Sequence, residues 1–373
     1  MNKLLIMIVI CIVLAIISQR KSESLSKNGK EEQENLFFFL LSTYMVIFAG
    51  LRTYFNDTYA YIVAFNNASS FPACFQNMNW TLGANPGFSI FISIVKTFTK
   101  NYHIYIMLSA AATLYPTIWF IRKYTRNFAL SIFFMFMLGY FTFSMAAMKQ
   151  TMATAIALIA VEQLLRSRKL LFVCLMLLAM TFHPYCLLYF LAPLLLKQIP
   201  WRKGTWIVIL CSLIAAYSFN FLMGTILEIT DIIGDEYDAD AFIGEGVNIF
   251  RVLVYFTPVV LSYLWRKSLF ENSSKTDNLF VNLSIVCAMI MFVGLFGNAN
   301  MFGRLGKFFD PIVFISLSWV LYKLKGGLSG MVLAFGAYVA APAFFYYDMY
   351  INSSFDQAFI SITIGQFFRS LFP

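Results

Sequence analysis

The chain has 373 residues, of which 60% are hydrophobic and only 12% are charged, and its formal net charge is +9. Soluble domains carry roughly 25% charged residues, so this composition excludes a soluble protein and predicts an all-α polytopic membrane protein. Lys and Arg gather in the cytoplasmic loops of membrane proteins, so the positive charge does not indicate a nucleic-acid partner. The six cysteines form no CxxC or Cys/His pattern, and neither a metal nor a cofactor is expected.

The apolar segments predict about 12 transmembrane helices, because a helix that crosses the bilayer needs roughly 17–25 residues. Together they would form a single integral membrane domain over residues 1–373. In chain order the predicted spans are 3–19, 36–51, 102–121, 127–147, 150–166, 170–183, 185–197, 205–223, 249–265, 279–297, 304–322 and 328–346.

A further apolar segment, 86–99, is short and is interrupted by Lys96. If it does not cross, every basic cluster falls on one side, which the positive-inside rule makes the cytoplasm. The clusters are Arg20, Lys21, Lys27 and Lys30, then 122–126, 166–169, 197–203, 265–267 and 323–325. We therefore expect a re-entrant or surface-lying helix near 86–99 on the outer face.

Two outer loops, 52–101 and 224–248, would then lie over the expected active site. The second loop contains seven acidic residues and no Lys or Arg, among them Asp231 and Asp235. It is either an ordinary translocated loop, since acids contribute little to orientation, or a lid over the site.

Five ionisable residues stand at the outer ends of spans, opposite the basic clusters: Arg52, Lys149, His183, Arg251 and Arg304. The positive-inside rule does not explain four cations on this side. Each could simply snorkel to the interface, but ionisable residues within spans are by default functional candidates. Several cations at one membrane level favour a phosphate-bearing ligand, and Arg offers it bidentate donors.

Two side chains are candidates for acid–base chemistry. An unperturbed histidine titrates close to working pH, which makes His183 one candidate, and Pro184 disfavours helix at residue 183, which would leave the imidazole at the end of its span. Asp57 follows Arg52 in "GLRTYFNDTYAY" (50–61). The alternatives are a structural His and an Asp that caps a helix or a turn.

Aromatic residues crowd the first outer loop beside these charges. Those predicted to stack on sugar rings are Tyr54, Tyr59, Tyr61 and Trp80. The alternative is the aromatic belt that membrane proteins place at the interface.

Four blocks, in this order, resemble the EpsG/Wzy family of bacterial polysaccharide polymerases over about residues 45–310. They are "GLRTYFNDTYAYIVAF" (50–65), "NPGF" (85–88), "MKQTMATAIA" (148–157) leading to "TFHPYCLLYF" (181–190), and "NANMFGRLGKFFDP" (298–311). The chain departs from the family pattern at three places. Asn85 replaces an acidic residue, Lys149 replaces an arginine, and Pro184 follows the histidine without the usual Ser-Ala.

The resemblance implies a multi-pass enzyme of the bacterial inner (plasma) membrane with a fold like the class C glycosyltransferases. It would join undecaprenyl-diphosphate-linked repeat units at the outer face, extending an O-antigen, a capsule or an exopolysaccharide. Its expected partners are these units and the lipid bilayer, with the flippase and the chain-length regulator of the same pathway as further candidates.

The implied chemistry assigns roles to the residues above. His183 or Asp57 would take the proton of the attacking sugar hydroxyl. Arg52 and Arg304, with Lys149 and Arg251 as further candidates, would neutralise the leaving diphosphate. Two other functions remain open: a flippase or transporter of lipid-linked sugars, and a membrane O-acyltransferase. A transporter would more typically show charges deep within spans and paired halves, which the sequence does not display.

Overall fold

A computed structural model describes residues 2–27, 34–218, 228, 246–297, 299–326, 328–352 and 359–371. Most of the predicted outer loop 224–248, including Asp231 and Asp235, lies outside the described residues. Whether that loop forms a lid therefore stays a prediction.

Helices form nearly all of the described chain. The longer elements alternate with short helices and breaks. The helices are α1 (Asn2–Lys27), α2 (Leu36–Gly50), α3 (Thr58–Asn67), α4 (Pro86–Phe98), α5 (Tyr102–Tyr124), α6 (Phe128–Met137), α7 (Tyr140–Ala146), α8 (Met148–Leu165), α9 (Lys169–Phe182), α10 (Ala192–Leu195), α11 (Lys203–Tyr217), α12 (Ile249–Leu264), α13 (Arg266–Phe270), α14 (Lys275–Val293), α15 (Ala299–Lys307), α16 (Asp310–Leu324), α17 (Leu328–Tyr346) and α18 (Ile364–Leu371). A 3₁₀ helix covers Pro184–Leu191, a π-helix covers Tyr347–Asn352, and two short strands are β1 (Arg52–Tyr54) and β2 (Ile360–Ser361).

Within the described residues, four helical segments are long and apolar enough to cross a membrane, or six if each of two bent helix pairs counts as one span. Six further apolar helices are shorter. The chain is thus an α-helical membrane protein, while the total of about 12 spans stays a prediction.

The two bent pairs are locked to each other. α6 and α7 meet at 54° around Gly139, whose φ of 74° suits glycine, and α15 meets α16 at 59°. The buried Lys307 at the end of α15 donates from Nζ to the Leu138 carbonyl at the first break (2.8 Å) and to Asp310 Oδ2 beyond the second break (3.0 Å). Since backbone groups in a membrane must find internal partners, one side chain stabilises both breaks.

Helix α8 occupies the middle of the fold, packed against α5 and α9. Its small buried residues, Ala153, Ala155, Ala157 and Ala160, let neighbouring backbones approach closely. Its first turn carries Lys149 and its last turn carries Glu162, so the helix separates these side chains by about 20 Å. α8 therefore joins the cavity end of the molecule to the end that carries the basic clusters.

The predicted helix near 86–99 is present as α4. Asn85 precedes it in the left-handed region, with φ 56°, a conformation that Asn tolerates better than most residues. A Cβ on Gly87 would lie 2.1 Å from Thr181 Oγ1, so only glycine permits this packing of α4 on the end of α9. The "NPGF" block thus sets α4 against the chain just before His183. Whether α4 is re-entrant or lies on the surface stays a prediction.

A two-stranded antiparallel sheet, which the sequence did not indicate, joins the first outer loop to the segment 359–371. β1 pairs with β2, and Ile362 N donates to the Leu51 carbonyl (3.0 Å). Phe359 stacks on Phe48 with ring centroids 5.2 Å apart. This segment therefore fixes the start of the loop that carries Asp57.

Glu162 ties together the ends of α5 and α8 remote from the cavities. Its carboxylate, in a residue 1% exposed, accepts hydrogen bonds from Lys123 Nζ (2.6 Å), Tyr124 Oη and Arg166 Nε. Three donors thus converge on one buried carboxylate, while the side chains of Lys123 and Arg166 are 29% and 49% exposed.

We predict that Glu162→Ala destabilises the protein by about 1–3 kcal/mol, because Lys123, Tyr124 and Arg166 lose the carboxylate that accepts their hydrogen bonds. Thermal unfolding of the purified protein in detergent measures the effect. Glu271→Ala, the same change at an exposed position, is the control. Equal unfolding temperatures for the two variants would show that the Glu162 network contributes nothing.

Candidate functional site

Two adjoining cavities contain most of the ionisable residues predicted to form a site. The first, here the His183 cavity, has a volume of about 300 Å³ and is lined by Asp57, Ala60, Tyr61, Asn85, Ala147, Lys149, Gln150, His183 and Arg304. The second, here the Arg251 cavity, has a volume of about 470 Å³ and is lined by Phe55, Asn56, Asp57, Gly139, Thr142, Phe143, Ala146, Ala147, Arg251, Ala299, Gly303, Arg304, Lys307, Asp348 and Met349. Asp57, Ala147 and Arg304 belong to both, so they form the boundary between them.

Asp57 stands at the N-terminus of α3 on that boundary. The turn before it contains Asn56 in the left-handed region, with φ 47°. The residue occupies the N-cap position, but its side chain makes no capping hydrogen bond, and it is exposed. Asp57 therefore stands where a helix-capping residue would stand, but its side chain does not cap the helix. Its carboxylate is available to a ligand in either cavity.

Lys149 and Arg304 line the His183 cavity from two different helices. Lys149 lies in the first turn of α8, with Nζ 5.8 Å from the ring centroid of Phe88. Arg304 is exposed on α15, and Gln150 Nε2 donates to its backbone carbonyl (2.6 Å), which holds α15 against the start of α8. The fold thus brings together two cations that are far apart in the sequence.

His183 lies between α9 and the 3₁₀ helix, in extended conformation. The predicted helix end before Pro184 is confirmed. Its Nδ1 and the Oδ1 of Asn85 are buried, and neither finds a hydrogen-bond partner among the described residues. Buried polar atoms are normally satisfied. Two unsatisfied ones that line the same cavity mark it as a place where water or a ligand binds.

Tyr61, one of the four predicted sugar-stacking residues, also lines the His183 cavity. Burial raises its pKa to about 12, and the nearby Asp57 carboxylate acts in the same direction. The phenol is therefore neutral at working pH and can donate a hydrogen bond. Tyr54, Tyr59 and Trp80 are exposed and line neither cavity.

Arg52 lies apart from the cations with which the sequence grouped it. It is 1% exposed and lines neither cavity. Its guanidinium donates to the carbonyls of Ala49 (2.5 Å) and Met145 (3.1 Å) and to Thr58 Oγ1 (3.1 Å). Burial lowers its pKa to about 10, so it remains protonated near neutral pH. Its observed contacts join α2, α3 and α7 behind the Asp57 turn.

Arg251 lines the second cavity, paired with an acid that the sequence did not suggest. Its Nη2 lies 2.8 Å from Asp348 Oδ1. Lys307, a cation that the sequence analysis did not single out, lines the same cavity. It stands three residues after Arg304 in "GRLGKFFDP", a spacing that places both on one helix face. Asp348 had no recognisable pattern around it.

The arrangement can bind an anion and move a proton. The His183 cavity offers an ammonium, a guanidinium, an imidazole and a carboxylate within one enclosure. In the described part of the chain, no group of three or more His, Cys, Asp or Glu residues is placed to hold a metal ion.

Comparison with known proteins supplies the family. The sequence model of the EpsG family matches residues 35–362, which is most of the chain. No curated protein matches the sequence significantly, and no solved structure does. The match includes all four sequence blocks, together with the boundary residues Asp57 and Arg304. The chain belongs to the EpsG family, which is the Wzy-type polymerase family.

Proposed function

We propose that this protein polymerises undecaprenyl-diphosphate-linked oligosaccharide repeat units by glycosyl transfer, at the outer face of the bacterial inner membrane. One observation carries the proposal beyond the family: Asp57, Lys149, His183 and Arg304 come from four separate elements and line one cavity. Glycosyl transfer from a lipid diphosphate needs an anion site beside a proton acceptor.

Lys149 and Arg304 would bind the diphosphate. Arg304 offers planar paired donors to phosphate oxygens, whereas Lys149 supplies a compact charge. As the bond to the sugar breaks, negative charge develops on the leaving diphosphate. Cations placed beside the leaving oxygen stabilise that developing charge.

The reaction forms one glycosidic bond and breaks the bond between the anomeric carbon of the donor and an oxygen of the diphosphate. The hydroxyl oxygen of the acceptor sugar attacks the anomeric carbon of the donor chain. The bonding electrons of the leaving oxygen depart with the undecaprenyl diphosphate, and the hydroxyl proton passes to a base. We propose Asp57 as that base, because its carboxylate is exposed on the boundary between the cavities. His183 is the second candidate, but a proton there would add a third positive charge beside Lys149 and Arg304.

The orientation rests on where the charges lie along the helices. Helix α5 ends with the basic residues Arg122 and Lys123. Helix α8 begins with Lys149 at the cavity and is followed at its other end by Arg166. Helix α9 begins with Lys169 and is followed by His183 at the cavity. Under the positive-inside rule the basic ends face the cytoplasm, so the cavities face outward. About 12 spans and a class C glycosyltransferase-like fold are part of this proposal.

A membrane-impermeant thiol reagent should label Tyr59→Cys from outside and leave Arg168→Cys unlabelled. The reverse result would refute the orientation.

Product analysis tests the function. Vesicles that contain the purified protein and lipid-linked repeat units from the producing cells should form chains of two or more units, with release of undecaprenyl diphosphate. Relocation of intact units across the bilayer would instead show a flippase, and acylated sugar would show an O-acyltransferase. Either result without chain growth would overturn the proposal.

We predict that Arg304→Ala lowers the polymerisation rate by roughly 10²–10³-fold, the usual loss when one donor to a developing negative charge is removed. The folded protein should remain stable, because the exposed guanidinium bonds to none of the residues that the structure describes. Arg168→Ala is the matched control at the remote end of the molecule. Full activity of Arg304→Ala would remove it from the anion site.

Arg52→Ala, by contrast, should lower the unfolding temperature, since it breaks three buried hydrogen bonds.

For the base, Asp57→Asn should lower turnover by roughly 10²–10⁴-fold, the usual contribution of a general base. Binding of undecaprenyl diphosphate should persist, because the cations are unchanged. His183→Gln should retain more activity than Asp57→Asn in the same assay. The opposite ranking would assign the proton transfer to His183.

A further inference from the structure

The Arg251 cavity differs in chemistry from the His183 cavity beside it. Apart from the shared Asp57 and Arg304, the charged residues of the His183 cavity are a lysine and a histidine. In the Arg251 cavity the further charged residues have partners of opposite charge. Arg251 is paired with Asp348, and Lys307 is paired with Asp310, which is buried and does not line the cavity. An anion would gain little from cations that already have acidic partners.

A carbohydrate matches this second set of groups. Sugar hydroxyls both donate and accept hydrogen bonds, so they need carboxylates and cations side by side. Asp57, Asp348, Arg251 and Lys307 provide both kinds. The rings of Phe55 and Phe143 add apolar surface to the same wall, and the cavity volume of about 470 Å³ falls within the roughly 300–1,000 Å³ of small-molecule pockets.

We infer that the Arg251 cavity binds the sugar end of the acceptor chain, while the donor diphosphate occupies the His183 cavity. This inference rests on the proposed function, and it assigns the two substrates to separate places. A polymerase must hold both at once. The common boundary of Asp57, Ala147 and Arg304 is then where the acceptor hydroxyl meets the donor carbon, with the Asp57 carboxylate placed to take the proton.

The walls of this cavity are fixed before any ligand arrives. Lys307 is held by the Leu138 carbonyl and by Asp310, and Arg251 is held by Asp348. A site whose groups are already oriented loses less conformational entropy on binding. This suits a weakly bound neutral sugar better than a set of freely moving side chains would.

Gly303 offers a direct test, because its missing side chain leaves room in the cavity. A Cβ added there would have Arg251 Nη1 at 3.7 Å as its one neighbour within 4 Å outside the adjoining helix backbone, so Gly303→Val places apolar bulk beside the Arg251 side chain in the cavity. Gly336→Val is the matched control, a helical glycine on an exposed face of α17 with nothing within 4 Å of its Cβ position. Both variants make the same change in helix propensity.

The inference predicts that Gly303→Val loses at least tenfold in the rate of chain extension from lipid-linked repeat units, relative to Gly336→Val. Binding of undecaprenyl diphosphate should stay within twofold of the unmodified protein. Equal extension by the two variants would overturn the inference while leaving the proposed function intact. A parallel loss of diphosphate binding would assign the cavity to the donor and also overturn it.

The Arg251–Asp348 pair supplies a second test should Gly303→Val fail to fold. Asp348→Asn keeps the shape of the side chain, and it should weaken extension without weakening diphosphate binding. The charge-exchanged double variant R251D/D348R should not recover extension if both side chains contact the sugar. Recovery by the double variant would mean that the pair serves only the fold. If the unmodified protein shows neither extension nor diphosphate binding, the proposed function itself fails.

Discussion

The architecture depends on the hydrogen bonds of one buried amine. Two helices are broken in the middle of the fold, and each break frees backbone groups that a lipid environment leaves without partners. Lys307 satisfies the Leu138 carbonyl at the first break and neutralises Asp310 beyond the second, while Tyr255 donates its hydroxyl to the same carboxylate. Because both breaks are held by one side chain, α7 and α15 keep a fixed separation, and the Arg251 cavity lies between them.

Cations near the cavities fall into two groups by their partners. Arg52 and Lys307 are buried and bonded to backbone carbonyls, and Arg251 is paired with a carboxylate. These charges are satisfied within the protein and contribute to the fold. The Arg304 guanidinium makes no hydrogen bond or ion pair with the described residues, and it is exposed on the boundary of both cavities. A charge kept in that state gains most from a ligand of opposite sign. Counting basic residues near a membrane surface does not separate these groups; their contacts do.

Local features of the sequence predicted the local features of the structure. Pro184 ended a helix at His183, and the "NPGF" block opened α4. Hydrophobic runs marked the helices, and the resemblance to the family was confirmed. What the sequence could not give was which face of a segment turns inward. Arg52 and Arg304 look alike as arginines at span ends. Yet Arg52 is buried in the protein and lines neither cavity, whereas Arg304 is exposed and lines both. Asp348 was missed because a lone acid in an aromatic segment has no periodic signal, and its importance arises only from contact with Arg251.

The sheet between β1 and β2 has a consequence for how the protein is made. Thr53 Oγ1 donates to the Ile360 carbonyl across 307 residues of sequence, so this contact forms only after almost every span has been synthesised. Asp57 lies three residues after the end of the earlier strand at Tyr54, and Asp348 precedes the start of the later one by twelve residues. Contacts of such long sequence separation are slow to form, because loop closure precedes any gain from them. The two cavities therefore acquire their final walls at the end of folding, and a chain caught part-way through membrane insertion holds Arg251 without Asp348, the acid that pairs with it.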